Sequence, residues 1–384
     1  MMLLINDPRE RAVVAAADAL LRPVALWRRL RARPRTAPAR VLCLRLERIG
    51  DLLMTLPALA ELRALLPDAR IDLAVGSWNA EIAAAIPGVD EIERLDAAWL
   101  ARGGEGRGTL ALARQAAAWR GRGYDLAINF EPDIRSNLIT AAAGARRTAG
   151  FASSGGGAVL DTALAYDPSA HTADNAIRLV RRALGADDGP LRAATLRIPD
   201  AHRAEAARLL APLAGSRRIG MHVSGGRAIK QWPEARFHEL AARLAADREA
   251  ALVFTGTTGD RAQVAEARAG LPDRAVLDLT GAGLLTVAAV IERLDLFVTG
   301  DTGPMHLAHA VGTPIVAVFG PSDPARYAPR GLRDRVVRVD LPCSPCNRIR
   351  RPPTRCVGHT PDCLRGVEVA AVMAAIDEVL GVDR

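Results

Sequence analysis

The stretch that most constrains this chain is Leu-Asp-Leu-Phe-Val-Thr-Gly-Asp-Thr-Gly-Pro-Met-His-Leu-Ala, residues 294–308. Residues 296–299 are a short β-branched and aromatic run, the pattern of a buried strand. The run breaks at Gly300-Asp301-Thr302-Gly303-Pro304, and the spacing predicts a helix directly after it. Thr302 or Gly303 is the expected N-cap. Pro304 suits the first helical position, where no amide donor is needed. A strand, a glycine-rich turn and a helix start leave backbone N–H groups and a positive dipole end facing whatever lies above the sheet. That is an anion site suited to phosphate or diphosphate. Residues 312–324 supply the next strand and a second tight turn, and two such elements at the carboxyl edge of a parallel sheet make a ligand crevice. An ordinary βα turn without a ligand has the same local sequence, so the rest of the chain must decide.

The rest of the chain repeats the theme. Buried runs at residues 41–46, 71–75, near Ile92, and at 124–130 alternate with amphipathic stretches at 52–66, 79–86, 109–120 and 137–143. Residues 155–167 read as irregular and 172–185 as helical. A second series follows Pro199: a helix at 201–213, a strand at 218–223, a loop over 224–230, a helix from Trp232, and a strand at 251–256. Strands alternating with helices call for a parallel sheet covered on both faces. The length of 384 residues accommodates two domains. The expected division is a basic tail over 1–38, a doubly wound domain over 39–199 and a second over 200–384, with a cleft between the two domains. The second holds a cysteine-rich segment at 343–363 and a final helix at 367–380, expected to pack back across the first domain.

The net charge of +8 is unevenly placed. Nine arginines (9, 11, 22, 28, 29, 31, 33, 35 and 40) lie in the first forty residues, against Asp7, Glu10 and Asp18. The excess therefore belongs to the tail, where one helix or two short ones over 11–30, with arginines beside Trp27, suit contact with an anionic inner-membrane surface; a loosely ordered tail or a helix packed on the body is the alternative. Lysine is almost absent. No zinc finger, basic zipper or RNA-binding aromatic motif occurs, so nucleic acid is not an expected partner. No run is long enough to span a membrane, and no small-residue cleavage site follows a clean apolar core near the start. A cytoplasmic, reducing setting is expected, in which a disulfide framework is not. Cys343, Cys346, Cys356 and Cys363 contain one Cys-x-x-Cys pair and could hold a structural zinc; packed free thiols are the alternative.

Several stretches together resemble the heptosyltransferase family, glycosyltransferase family nine. They are Arg45-Leu-Glu-Arg-Ile-Gly-Asp51 with Thr55-Leu-Pro57, Arg135-Ser136, Gly150-Phe151, Lys230-Gln-Trp-Pro233, Asp301-Thr-Gly-Pro-Met-His-Leu-Ala308 and Phe319-Gly-Pro-Ser-Asp-Pro324. The resemblance covers the body from about residue 40 to 366. It implies a GT-B fold of two Rossmann-like domains and an inverting, metal-independent transferase. The implied donor is ADP-heptose and the implied acceptor a lipopolysaccharide core or related surface glycan.

By that resemblance Asp51 is the base that takes the proton of the acceptor hydroxyl, a role a carboxylate within hydrogen-bond reach can fill. The alternative, which does not exclude the first, is the N-cap of the helix at Leu52; the base role is favoured. Lys230, a point charge in a glycine-rich loop, suits a phosphate whose charge grows as the leaving group departs. Ser224, Gly225 and Gly226 would add hydroxyl and backbone donors there. Thr302 and the Gly303 amide suit phosphate; Asp301 suits sugar hydroxyls or loop bracing, and His306 phosphate, sugar or a buried structural role. Glu131, Asp133 and Arg135 are assigned to the acceptor, with an ion pair among them as the alternative. No Asp-x-Asp triplet occurs, so a metal clamp on the diphosphate is not indicated. A nucleotide-sugar epimerase of similar architecture and a non-catalytic nucleotide-sugar-binding scaffold are the rival readings. A dehydrogenase fits poorly, because no Gly-x-Gly-x-x-Gly follows the first strand.

Overall fold

The buried runs of this chain are apolar on both faces, so each needs cover on both sides. Helices crossing over a parallel sheet supply that cover. The computed structural model describes residues 3, 5, 7–21, 23–24, 36–101, 106–190 and 192–381, and it contains that architecture twice. The chain forms two compact units, Met1–Ala194 and Thr195–Arg384.

In the first unit six strands lie in the order β3-β2-β1-β4-β5-β6. They are β1 (Arg40–Leu44), β2 (Arg70–Val75), β3 (Glu91–Arg94), β4 (Leu126–Asn129), β5 (Arg147–Phe151) and β6 (Thr162–Leu164), and every neighbouring pair is parallel. The second unit has β7 (Arg218–His222), β8 (Ala251–Thr255), β9 (Val276–Asp278), β10 (Leu296–Gly300), β11 (Ile315–Val318) and β12 (Arg335–Val337), again all parallel. Its order, β12-β11-β10-β7-β8-β9, repeats that of the first unit when counted from its own first strand. In both sheets the winding reverses between the first and fourth strands, β1 and β4 in one and β7 and β10 in the other. At such a switch point the loops leaving the carboxyl ends diverge, and ligands bind there. The register aligns Leu44 with Asn129 and Thr299 with His222, so the two loops of each switch point start level with one another.

The second unit's core gathers Trp232, Phe237, Phe254, Leu296 and Val298 with Val369, Val372, Met373 and Ile376. Trp232 packs edge-on against Phe237 at 4.9 Å, and its indole N–H donates to the Val367 carbonyl at 3.0 Å. The last four core residues belong to the final helix, Val369–Leu380. That helix packs on β10, β11, β12 and the helix Glu234–Asp247, all within the second unit. The apolar face of that helix, expected to pack back across the first domain, covers the sheet of its own unit. The ion pair between Arg248 and Asp377, at 2.8 Å, ties it down.

Three further expectations change. The helix predicted over 52–66 begins earlier and is interrupted, as Ile49–Leu53 and Leu56–Leu65, because Pro57 in the first turn of the second piece has no amide to continue the ladder. The segment read as irregular holds β6, an edge strand of three residues too short and too exposed to show a pattern. The N-terminal helix is Pro8–Leu20, capped by Asp7, whose side chain accepts from the amides of Arg9 and Glu10. The Trp27 to Arg35 stretch lies outside the described residues.

Candidate active site

In the first unit the switch point is built around a buried cation. Arg45 follows β1 directly and its side chain is 4% exposed. Its Nη1 donates to the Phe130 carbonyl at 2.6 Å, which fastens it to the chain leaving β4. The same guanidinium lies 3.2 Å from Glu47 Oε2 and 3.4 Å from Asp51 Oδ1, and its Nε donates to the Asp51 carbonyl at 3.2 Å. Burial alone works against the charge of Arg45. Glu47, Asp51 and Glu131 outweigh it, so the guanidinium pKa lies above its ordinary value.

Asp51 does not cap a helix. It stands in the first turn of Ile49–Leu53, where Arg48 occupies the N-cap position and no side chain bonds the free amides. Its carboxylate is turned to Arg45 and is 32% exposed, which leaves it accessible to a solute. The loop that carries it is held from both sides. Glu131 Oε1 accepts from the amides of Leu46 and Glu47, the latter at 2.9 Å. Trp78 Nε1 and Asn79 Nδ2 donate to the Glu47 carbonyl at 2.9 and 2.7 Å.

The three residues assigned to the acceptor therefore separate. Glu131 is buried and braces the Asp51 loop; burial, then the nearby Glu47, raises its pKa well above the ordinary carboxyl value. Asp133 caps the helix Ile134–Ala142 and takes Arg135 in a bidentate pair, with Nη2 to Oδ2 at 2.6 Å. Arg135 also stacks over Trp99, 4.5 Å from the ring centroid. The fork that would hold an anionic acceptor is thus engaged by Asp133. Beneath it a buried amide network joins the two strands: Asn129 Nδ2 donates to Ser136 Oγ and Asn137 Oδ1, and Asn137 Nδ2 donates to the Phe151 and Gly155 carbonyls.

In the second unit β10 ends at Gly300, and Thr302 is the N-cap of the helix Gly303–Ala310. Pro304 stands second in that helix rather than first. The Thr302 hydroxyl does not bond the helix amides; it meets Thr299 Oγ1 at 3.1 Å and donates to the Gly300 carbonyl at 3.4 Å. The start of the helix thus has no side-chain cap, the condition under which its amides and dipole are available to an anion. His306 is buried in the first turns of this helix.

Lys230 joins this turn from the β7 loop. Its Nζ is 2.7 Å from Asp301 Oδ2, and the two side chains are 21% and 10% exposed. Lys230 is the single lysine in the sequence. The loop that delivers it folds over Gln231, whose side chain donates to the Val223 carbonyl. A Cβ on Gly225 would stand 2.9 Å from Gln231 Oε1 and 3.1 Å from its backbone, so a larger residue would crowd Gln231. The Ser224 hydroxyl, assigned to the diphosphate, is 3.0 Å from His222 Nε2. His222 Nδ1 lies 3.1 Å from both the Thr255 carbonyl and the Thr255 hydroxyl. Burial lowers the His222 pKa to about 4, so the ring is neutral near pH 7.

Arg45, Glu47, His222 and the Lys230–Asp301 pair were not singled out by sequence reasoning. Arg45 alone carried a signal, as a charged residue closing an otherwise apolar strand run. Elsewhere, Cys363 is held up to about 11 by burial and then by the neighbouring thiols of Cys346, Cys343 and Cys356. Even so, no three His, Cys, Asp or Glu side chains among the described residues converge so as to hold a metal ion. A cavity of about 660 Å³ in the first unit is lined by none of the site residues. Its charged groups are paired, Glu61 taking Arg181 at 2.8 Å and Arg192 at 3.0 Å, and Arg63 meeting Asp90 at 2.7 Å.

Two parallel, doubly wound units with polar switch points define an α/β protein of the GT-B class, and known structures share this fold. The structure of E. coli ADP-heptose lps heptosyltransferase II superposes with a TM-score of 0.72 at 21% identity, covering 89% of this chain and 98% of that one. The E. coli heptosyltransferase WaaC with ADP-2-deoxy-2-fluoro heptose gives 0.66 at 22% identity, covering 88% and 99%. In sequence, the lipopolysaccharide heptosyltransferase 1 of Pseudomonas aeruginosa is 27% identical over 332 residues, 80% of this chain and 86% of that protein. The family model for glycosyltransferase family 9 (heptosyltransferase) matches residues 112–355. The chain belongs to that family and is a glycosyltransferase.

Proposed function

We propose that this transferase moves a heptose from ADP-heptose to a lipopolysaccharide core acceptor, with inversion at the anomeric carbon and no metal in the chemistry. The observation that carries the reading is the delivery of the single lysine to the glycine-rich turn after β10, 2.7 Å from Asp301. Family membership, the similarity to the E. coli ADP-heptose lps heptosyltransferase II and the ADP-2-deoxy-2-fluoro heptose held by the similar WaaC support the choice of sugar and nucleotide.

In this reading the second unit binds the donor. The diphosphate lies over the uncapped start of Gly303–Ala310 and competes with Asp301 for Lys230. The first unit presents the acceptor to Asp51. The acceptor oxygen attacks the anomeric carbon, its proton passes to the Asp51 carboxylate, and the bond from that carbon to the diphosphate oxygen breaks, its electron pair leaving with ADP. Lys230 offsets the charge that develops on the leaving phosphate, where a preplaced cation is most effective. Arg45 holds Asp51 in place.

The test is incubation of the protein with ADP-heptose and a truncated lipopolysaccharide acceptor, without added metal, following ADP release and acceptor mass. Acceptor-dependent release, an acceptor heavier by one heptose and loss of both in Asp51→Asn are expected. ADP binding without transfer would remove this donor and acceptor pair, and absence of any nucleotide binding would remove the reading itself.

A further inference from the structure

The cysteine-rich segment of the second unit meets the loops around the Asp301 turn at both of its ends. β11 runs beside β10 with Val318 aligned to Gly300, so the chain leaving β11 at Phe319 starts level with Asp301. A Cβ on Gly300 would stand 3.7 Å from the Lys230 carbonyl and 3.8 Å from the Val318 carbonyl. The turn that carries Asp301 and Thr302 is therefore flanked by two loops. One follows β7 and carries Lys230; the other follows β11 and runs from Gly320 to Asp323, ahead of the helix Pro324–Tyr327.

The start of the segment holds the second of these loops. Ser344, which follows Cys343 in the Cys-x-x-Cys pair, is buried, and its hydroxyl donates to the Gly320 carbonyl at 2.8 Å. The amides of Cys346 and Asn347 both donate to the Pro321 carbonyl, at 3.1 and 2.8 Å. Asn347 Oδ1 accepts in turn from the Asp323 amide at 2.9 Å. Asn347 has a φ of 55°, a left-handed conformation that asparagine adopts more readily than most residues. From behind, Arg338 Nη2 donates to the Ser344 carbonyl at 2.9 Å. A loop outside any strand or helix must find partners for its backbone groups elsewhere, and here this segment supplies them.

The far end reaches both loops. Leu364 is buried beside Gly320, where a Cβ would stand 2.5 Å from Leu364 Cγ. The Val367 carbonyl accepts the indole N–H of Trp232, two residues after Lys230. The grip is made by backbone groups, a serine, an asparagine and a leucine, not by the thiols.

We propose that Ser344 and Asn347 are positioning residues for glycosyl transfer, which fix the loop after β11 as one wall of the donor crevice. The proposal rests on the assignment of the donor to the second unit.

The test compares ADP affinity by calorimetry, steady-state transfer and melting temperature in Asn347→Gly and Ser344→Ala. Asn347→Gly keeps the left-handed backbone and deletes only the side chain. Val357→Ser, altering a side chain 59% exposed in the same segment, serves as control. The ADP dissociation constant and the donor KM should rise about fivefold in Asn347→Gly and about tenfold in Ser344→Ala, which removes the group that donates to the Gly320 carbonyl. The acceptor KM should not change, and Val357→Ser should match the unaltered chain. A lower melting temperature with unchanged ADP affinity and donor KM would overturn the proposal, and so would equal rises in donor and acceptor KM. If the unaltered chain binds ADP and both variants bind it equally well, the positioning role falls while the donor assignment stands. If the unaltered chain binds no ADP, both fall together.

Discussion

In the first unit the loops leaving β1 and β4 gather Arg45, Glu47, Asp51 and Glu131; in the second those leaving β7 and β10 gather Ser224, Lys230, Asp301 and Thr302. The strand order is the same, and so is the reversal that opens each crevice. What differs is the sign of the chemistry. One site surrounds a single buried cation with carboxylates and leaves one of them, Asp51, partly exposed. The other sets a single lysine against one carboxylate beside helix amides that no side chain caps. Topology decides where a site forms, and the side chains at the two loop ends decide its charge; in the proposed function the first handles a proton and the second an anion.

That contrast can be broken most sharply at Asp51. Replacement by Asn keeps size and polarity but removes the proposed base, and kcat should fall about 10³-fold while the melting temperature stays near that of the unaltered protein. An unchanged kcat would take the proton-handling role away from the first unit. In the second unit Lys230→Ala should lower kcat between about 10²- and 10³-fold. Because the chain has no other lysine, reductive methylation followed by mass spectrometry reads this residue and the N-terminal amine alone. ADP should protect Lys230 and not the terminus; equal labelling with and without ADP would separate the lysine from the nucleotide.

Arg45→Gln should destabilise the first unit by about 4 kcal/mol, as expected when one partner of a buried ionic cluster is lost. Arg45→Lys should recover part of the stability and of the kcat, since it restores the charge without the fork. Denaturant unfolding with tryptophan fluorescence measures the first, and a loss below about 1 kcal/mol would show that the cluster is not what holds the loop.

The two sites should also answer acid in opposite senses. His222 has a folded-state pKa of about 4 against an ordinary 6.5, so between these values the unfolded chain binds more protons. Its contribution is complete above about pH 6.5 and disappears as pH falls through 4, a change of about 3 kcal/mol. His222→Asn should flatten that slope. Glu131 is raised instead, so its contribution is present in acid and declines as pH rises above its ordinary 4.5. Glu131→Gln keeps an acceptor for the Leu46 and Glu47 amides and should change stability by under about 1 kcal/mol at pH 5, with a small gain at pH 8. Parallel slopes in the two variants would remove the contrast.

Much of this molecule was legible from local pattern. The strand at 296–300 and the helix after Thr302 were readable because a buried run, a glycine turn and a proline near a helix start are constraints between neighbours. The same holds for β1 and β4, whose apolar runs exceed anything a solvated strand needs. The interruption of the helix at Met54 and Thr55 was less clear, although Pro57 is its cause. The edge strands β6, β9 and β12 had no such signal: three residues with one face in solvent leave no period to detect.

The sequence by itself determined the alternation of strands and helices, the positions of the glycine turns and the identity of the residues at the loop ends. All of these follow from propensity, periodicity and steric rules acting over a few residues. Tertiary structure alone decided which of those residues meet. Lys230 and Asp301 are far apart in the chain, as are Arg45 and Phe130, and their contacts arise because the parallel sheets place β7 beside β10 and β1 beside β4. The same placement took Glu131 out of solvent and turned it to the Asp51 loop, engaged Arg135 with Asp133 over Trp99, and set the last helix on the sheet of its own unit. Pairing, burial and the pKa shifts they cause depend on distances between remote segments, and no local rule carries that information.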